Sequence, residues 1–391
     1  MELINRVISF LEERRQNILN GNVNCIPSPF SSFRNDFVGI EQGRYYLVTA
    51  HQKSGKTQLA SYIFLYTPLL YAYKHREKLR LKIFYYPLEE TKEEITLRFM
   101  SFILFTLSNH RVRISPEDLR STNESKILDE RVLDLLKSKE YLEILDFFEQ
   151  TVVFEESSNP TGAWKDLINY ADTHGKVHYK EMPCVDKMTG EITTKSAFDH
   201  YEPDDPNEYV EIIWDHVSLS GLERGMDLRQ TVIKLSEFMV NLRNKYHYIP
   251  VIIQQQSDET QNLDAFKSMK IRPNVSGLAD CKYTARDCNI MLGLVNPYAF
   301  ELPKYLRYEV DKLRDNLRFL EVVINRNGAS KGIKALFFDG AVSYFNELPA
   351  WDNKPALSAI YTYLERLRQT VVTTVAMFTA TIRRMSKRHS N

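Results

Sequence analysis

The chain has 391 residues, 43% hydrophobic and 26% charged, which is the composition of a folded globular protein and not of a disordered one. Its 51 Lys and Arg balance its 51 Asp and Glu, so any contact with nucleic acid must come from a local basic surface and not from bulk charge. No apolar run reaches the ~18 residues of a membrane span, the amino terminus mixes charges into its apolar stretch unlike a signal peptide, and four dispersed cysteines without a CxxC pair suit a reducing cytoplasm better than a zinc site or disulfide framework.

Residues 1–20 predict an amphipathic helix, with Leu3, Ile4, Val7, Ile8 and Leu11 on one face and Glu12, Glu13, Arg14 and Arg15 following. Gly21, Pro27 and Pro29 end it. Residues 1–30 therefore read as a linker helix and tether, whose stripe packs either on its own domain or on a neighbouring subunit. From 31 to 107 the pattern alternates: an apolar strand over 44–50, a helix over 57–73, a strand over 81–86 and a helix over 92–107. Such βαβ units build a parallel sheet. Residues 108–205 read as an inserted α+β region. Ser115-Pro116-Glu117 opens a helix, apolar periodicity marks 127–136 and 141–148, 151–155 has a strand pattern, and 164–171 is helical. A β-hairpin over 177–198 turns at Met188-Thr189-Gly190. The sheet resumes over 206–350 with strands at 209–214, 249–254, 289–294 and 320–324 and a helix at 228–246. A polar loop spans 257–275, and 333–338 pairs with 342–345. The tail, 351–391, is helical through Leu367; from Arg366 it carries six Lys or Arg and no acid, either a solvated basic end, a nucleic-acid contact or a packing helix.

The strongest motif is Ala50-His51-Gln52-Lys53-Ser54-Gly55-Lys56-Thr57, between a buried strand and a helix. That is the setting of a P-loop, although its first position is Ala in place of Gly. Backbone N–H groups there cradle phosphates, Gly55 permits close approach, Lys56 reaches the β/γ-phosphates and Thr57 holds Mg²⁺, so ATP and Mg²⁺ are the expected ligands. Glu211-Ile212-Ile213-Trp214-Asp215 is an apolar strand ending in Asp, which places Asp215 beside that metal at the carboxyl edge of the sheet. No Glu follows Asp215. Glu89, just past the 81–86 strand, is a carboxylate able to deprotonate water, or else an acid near a helix N-terminus together with Glu90, Glu93 and Glu94. Gln254-Gln255-Gln256 ends another apolar strand, where a Gln facing the γ-phosphate could pass a signal to the following loop.

In this order the motifs resemble the RecA-like ATPase domain of DnaB-like replicative helicases, especially phage versions, over roughly residues 1–345 apart from 108–205. Tyr86-Pro87-Leu88-Glu89 is similar to a family segment whose Glu is the catalytic base, and Asp215 matches the family's metal-binding Asp. Gln256 matches its sensor Gln, Arg272-Pro273 opens a matching stretch with Asp287 at an acidic position, and Asn325-Arg326-Asn327-Gly328 looks like the motif whose Arg is a finger reaching the neighbouring nucleotide. The Lys that precedes this finger in the family is Ile324 here, and the family's amino-terminal domain is lacking. Asn159-Pro160-Thr161-Gly162 and Asp215-His216 resemble large-phage members.

The resemblance implies an α/β RecA-like P-loop NTPase core and an ATP-dependent replicative DNA helicase: a ring, hexameric in the family, that moves single-stranded DNA. In this reading Glu89, Lys56, Arg326 and Gln256 do the chemistry, Lys267, Lys270 and Arg272 in the 257–275 loop bind DNA beside Phe266, and primase or a loader is a partner. The competing reading is a non-unwinding RecA-like ATPase, such as a recombination mediator or helicase loader. A structural ring with a vestigial nucleotide site conflicts with the intact Lys56, Thr57, Glu89, Asp215 and Arg326.

Overall fold

A computed structural model of the chain describes residues 2–124, 126–185, 192–257, 271–328, 330, 332–366 and 368, without the side chains of Glu2, Leu3 and Val185. The expected hairpin turn at 188–190, Phe266, Lys267 and Lys270, and most of the basic tail lie outside the described residues. Helix α1 (Glu2–Leu19) precedes a short antiparallel pair, β1 (Ile26–Pro27) and β2 (Gly39–Ile40). Gly39, at φ +140°, closes this pair because a Cβ there would collide with the Ile26 carbonyl. Next, β3 (Tyr46–Ala50) leads through residues 51–55 into one long helix, made of α2 (Lys56–Ser61), a π-helical turn (Tyr62–Tyr66) and α3 (Thr67–Lys74). β4 (Arg80–Pro87) and α4 (Lys92–Leu107) follow, the helix opened by a Thr91–Glu94 capping box.

The middle of the chain holds α5 (Pro116–Leu119), α6 (Glu130–Leu136), α7 (Lys139–Thr151), β5 (Val152–Phe154), α8 (Pro160–Thr173) and a hairpin of β6 (Gly175–Val185) and β7 (Ile192–Pro203). Then come β8 (Glu208–Asp215), α9 (Leu228–Tyr246), β9 (Ile249–Gln255) and β10 (Ile290–Val295). A short pair, β11 (Lys304–Tyr305) with β12 (Tyr308–Glu309), precedes β13 (Leu317–Asn325), β14 (Ile333–Asp339), β15 (Tyr344–Glu347) and a helix over 354–366. Among the described residues no helix is long and apolar enough to cross a membrane.

Nine strands form one sheet in the order β15-β14-β13-β10-β3-β9-β8-β4-β5. From β10 to β5 the neighbours are parallel; β13, β14 and β15 are added antiparallel. β5 pairs with β4 through Ile83–Val152 and its neighbours, so the 108–205 segment supplies the edge strand of the main sheet. Strand alternation sorts the core into two faces. Tyr46, Val48, Ala50, Ile83, Tyr85, Ile213, Val251 and Ile253 pack with the 56–74 helix and α4. Leu47, Phe84, Tyr86, Ile212, Trp214 and Ile252 pack on the other side, with residues of α8 and α9.

Candidate functional site

The carboxyl ends of β3, β4, β8 and β9 converge on a cavity of about 400 Å³ lined by the 51–58 loop, Glu89, Arg98, Gln255, Arg318 and Phe338. Lys53 (φ +57°) and Gly55 (φ +88°) turn the loop into the start of α2. A Cβ on Gly55 would lie 3.2 Å from the Phe338 ring, so this approach is reserved for glycine. The Lys56 side chain is buried and its Nζ has no hydrogen-bond partner. Burial pulls its pKa down to about 8 against the opposing pull of Asp215, Glu89 and Asp280. A buried ammonium without an acceptor is costly on its own, and a phosphate oxygen would satisfy it.

Thr57 Oγ1 donates to one Asp215 oxygen at 3.3 Å and the Tyr85 hydroxyl to the other at 3.0 Å. Burial pushes the Asp215 carboxyl up to about 6, partly offset by Lys56 and by the Tyr85 bond. A hydroxyl and a carboxylate side by side at the phosphate end are the oxygen donors that Mg²⁺ takes together with phosphate and water, so the residues fit that ion. Glu89, exposed beyond β4, lines the same cavity, with a carboxylate oxygen 3.6 Å from His216 Nε2. Glu90 is instead tied to Arg98 at 2.5 Å.

The three glutamines divide by alternation. Gln255 continues the face of Val251 and Ile253 and lines the cavity. Gln254 and Gln256 point to the other side and are buried. Gln256 donates to Thr49 Oγ1 at 3.0 Å and to the Asn274 carbonyl at 3.2 Å, which connects the β3 strand to the base of the 257–275 loop. In that loop Arg272 is held by both oxygens of Glu321. Asp287 accepts from Ser236 at 2.9 Å. Asn159 caps α8 by accepting from the Gly162 N–H, while Thr161 donates to Glu223 in the segment after β8.

One wall of the cavity was not foreseen from the motifs. Arg318 of β13 is 1% exposed and donates to the carbonyls of Ser54 at 2.6 Å, Asp315 at 2.7 Å and Leu317 at 3.0 Å, and to the Asp315 carboxylate at 2.9 Å. Its guanidinium stacks 4.6 Å above Phe338. The carboxyl-terminal strands thus hold the 51–55 loop in place. The available signal was an Arg inside the apolar run Leu317-Arg318-Phe319-Leu320, since an interior cation needs acceptors.

Arg326 lies elsewhere. Asn325, at the end of β13, pairs with Ile290, and Ile290 pairs with Tyr46, the first residue of β3. The phosphate loop leaves the other end of β3, so Arg326 sits at the opposite sheet edge from its own loop. It is exposed, and its guanidinium donates to the carbonyls of Cys288 and Arg286.

Solved structures with a similar fold include two ATPase chains. An ATPase domain matches with a TM-score of 0.61 and 13% identity, covering 89% of this chain and 99% of that one. The fold is that of the RecA-like ATPases. A DnaB-like replicative helicase, solved with attention to its interactions with primase, matches this RecA-like chain with a TM-score of 0.58 and 14% identity, over 88% of this chain and 66% of the helicase chain. No family model and no curated protein matches the sequence.

Proposed function

We propose that the chain is an ATP-hydrolysing, ring-forming DNA helicase of the DnaB-like replicative type, with ATP bound at subunit interfaces. The observation that carries this reading is the division of the chemistry between the two edges of one sheet. Lys56, Thr57, Asp215 and Glu89 meet at the carboxyl edge, whereas Arg326 stands at the amino edge, a strand length of ~13 Å or more away. An arginine so placed does nothing for its own subunit's phosphate, but across a ring interface it stabilises transition-state charge. The likeness to the two solved structures supports the same reading.

In this reading Lys56 donates to the phosphate oxygens, Thr57 and Asp215 hold Mg²⁺, and Glu89 takes a proton from the attacking water. When bound between Thr57 and Asp215, Mg²⁺ would supply positive charge against the phosphate oxygens. Gln255 faces the phosphate end. Gln256, through Thr49 and Asn274, relays a shift of the β3 end to the 257–275 loop, whose Lys267, Lys270 and Arg272 follow single-stranded DNA. Arg272 would have to exchange Glu321 for a phosphate to take part. The α1 stripe supports assembly: Ile4, Val7, Ile8 and Leu11 are each about half exposed, and burying them against a neighbour would supply on the order of 5 kcal/mol before ordering costs. Primase or a loader is the partner this type of ring implies.

Purified Lys56→Ala, folded as judged by circular dichroism, should have lost ATP turnover and strand displacement together. Full turnover in that variant would remove the nucleotide site. Turnover without displacement in the wild type would favour the non-unwinding ATPase.

A further inference from the structure

His216 directly follows Asp215 and has no part in the chemistry above. Its side chain is buried, 5% exposed, and its Nδ1 has no hydrogen-bond partner. Its Nε2 lies 3.6 Å from a Glu89 carboxylate oxygen. Buried ring nitrogens are ordinarily hydrogen-bonded, so this nearby carboxylate needs a reason.

The two partners differ in how firmly they are held. The His216 backbone is extended and its carbonyl accepts from Leu219, closing the short 3-10 turn Val217–Leu219. That turn is pinned on both sides: the Trp214 indole donates to Ser220 Oγ at 2.9 Å, and Ser218 Oγ donates to Asp280 at 2.5 Å. Glu89, by contrast, is half exposed on the turn between β4 and α4, while its neighbour Glu90 is anchored by Arg98. A fixed imidazole thus stands beside a loose carboxylate.

We propose that His216 is the positioning residue for Glu89. Its Nε2–H donates to one carboxylate oxygen and leaves the other aimed into the cavity to accept the proton of the attacking water. The observed separation is longer than a hydrogen bond. Rotation of the half-exposed Glu89 side chain closes it, as catalytic contacts tighten around substrate. A neutral donor orients the base without the charge that a lysine or arginine would bring, and holding a carboxylate to one geometry is what a supporting residue contributes. The proposal rests on the reading of Glu89 as the base.

The test is single-turnover ATP hydrolysis, with ATP affinity measured separately, in the full-length protein. His216→Phe should lower the hydrolysis step about tenfold while leaving ATP affinity within about twofold. His216→Gln, which still carries a donor of similar reach, should recover part of the loss. In a Glu89→Gln background, His216→Phe should have no further effect, because its target is gone. If Glu89→Gln hydrolyses at the wild-type rate, the reading of Glu89 fails, and with it the basis of the proposal. If Glu89→Gln is slow but His216→Phe is not, or if His216→Phe slows both backgrounds equally, the positioning role is overturned. Should His216→Phe not fold, His216→Asn, whose amide is too short to reach Glu89, is compared with His216→Gln; equal rates in those two also overturn it.

Discussion

Replacing Arg318 by Met should weaken both the fold and nucleotide binding. The thioether fills the space of the guanidinium stem and keeps contact with Phe338, so the change removes donors more than volume. Three carbonyls, of Ser54, Asp315 and Leu317, lose their guanidinium donor. Left bare, the buried Ser54 and Leu317 acceptors cost ~1–3 kcal/mol each, and the carbonyl of exposed Asp315 less, since water reaches it. The Asp315 carboxylate is 65% exposed, so its share of the loss is screened and small. Against this, the variant no longer desolvates a guanidinium, a saving of several kcal/mol. The balance is a net loss of about 2–4 kcal/mol, seen in a chain of 391 residues as a fall in Tm of about 2–5 °C. Freed from its anchor, Ser54 lets the phosphate loop leave its bound shape, and ATP affinity should drop about tenfold, or ~1.4 kcal/mol. Thermal denaturation followed by circular dichroism and titration with a fluorescent ATP analogue measure the two effects. Arg318→Met with wild-type Tm and wild-type affinity would refute the anchoring role. A lower Tm with unchanged affinity would confine Arg318 to holding the carboxyl-terminal strands.

Nucleotide binding should be bell-shaped in pH. Lys56 holds its proton below about 8, so affinity falls as pH rises through that value; Asp215 is charged only above about 6, so the Mg²⁺-dependent part falls as pH drops through it, and a flat profile from 5 to 9.5 would contradict both assignments. The folded-state pKa of Lys56 lies below its ordinary 10.5, so this group's contribution to stability improves between about pH 8 and 10.5; Lys56→Met should flatten that part of a denaturation series. Mixing inactive Arg326→Ala with inactive Lys56→Ala should restore some turnover by subunit exchange, because some interfaces then join an intact loop to an intact finger; exchanged mixtures that stay inactive would refute action in trans. Replacing Lys267 and Lys270 by Ala should reduce the slope of log K against log salt for single-stranded DNA by about one to two, and an unchanged slope would move the DNA path away from the 257–275 loop.

Much of this site is legible in the sequence because its parts are local. A buried strand, a Gly-Lys-Thr turn and a helix are consecutive, and an apolar strand ending in Asp215 needs no partner to be recognised. The sequence pattern also places helices over 92–107 and 228–246, the bounds the structure shows. What escaped depends on contacts distant in sequence. At three residues β5 is too short for its pattern to reveal which sheet it joins. Arg318 and Phe338 reach the phosphate loop from more than 260 positions away, through antiparallel strands added after the parallel core. The side-chain direction at the β9 end could have been counted: period-two alternation from buried Val251 and Ile253 brings Gln255 to the 56–74 helix face and sends Gln256 to the other.

The anchoring of the phosphate loop by β13 and β14 also has a meaning in time. A ribosome delivers the loop early and its clamp late: Gly55 emerges long before Arg318 and Phe338, which hold Ser54 and crowd Gly55. At ~5–20 residues per second the interval is on the order of 13–50 s. During it the nascent chain has the phosphate-binding residues without the structure that fixes them. In the proposed function, nucleotide competence therefore arrives only when β13 and β14 have joined the sheet, late in synthesis.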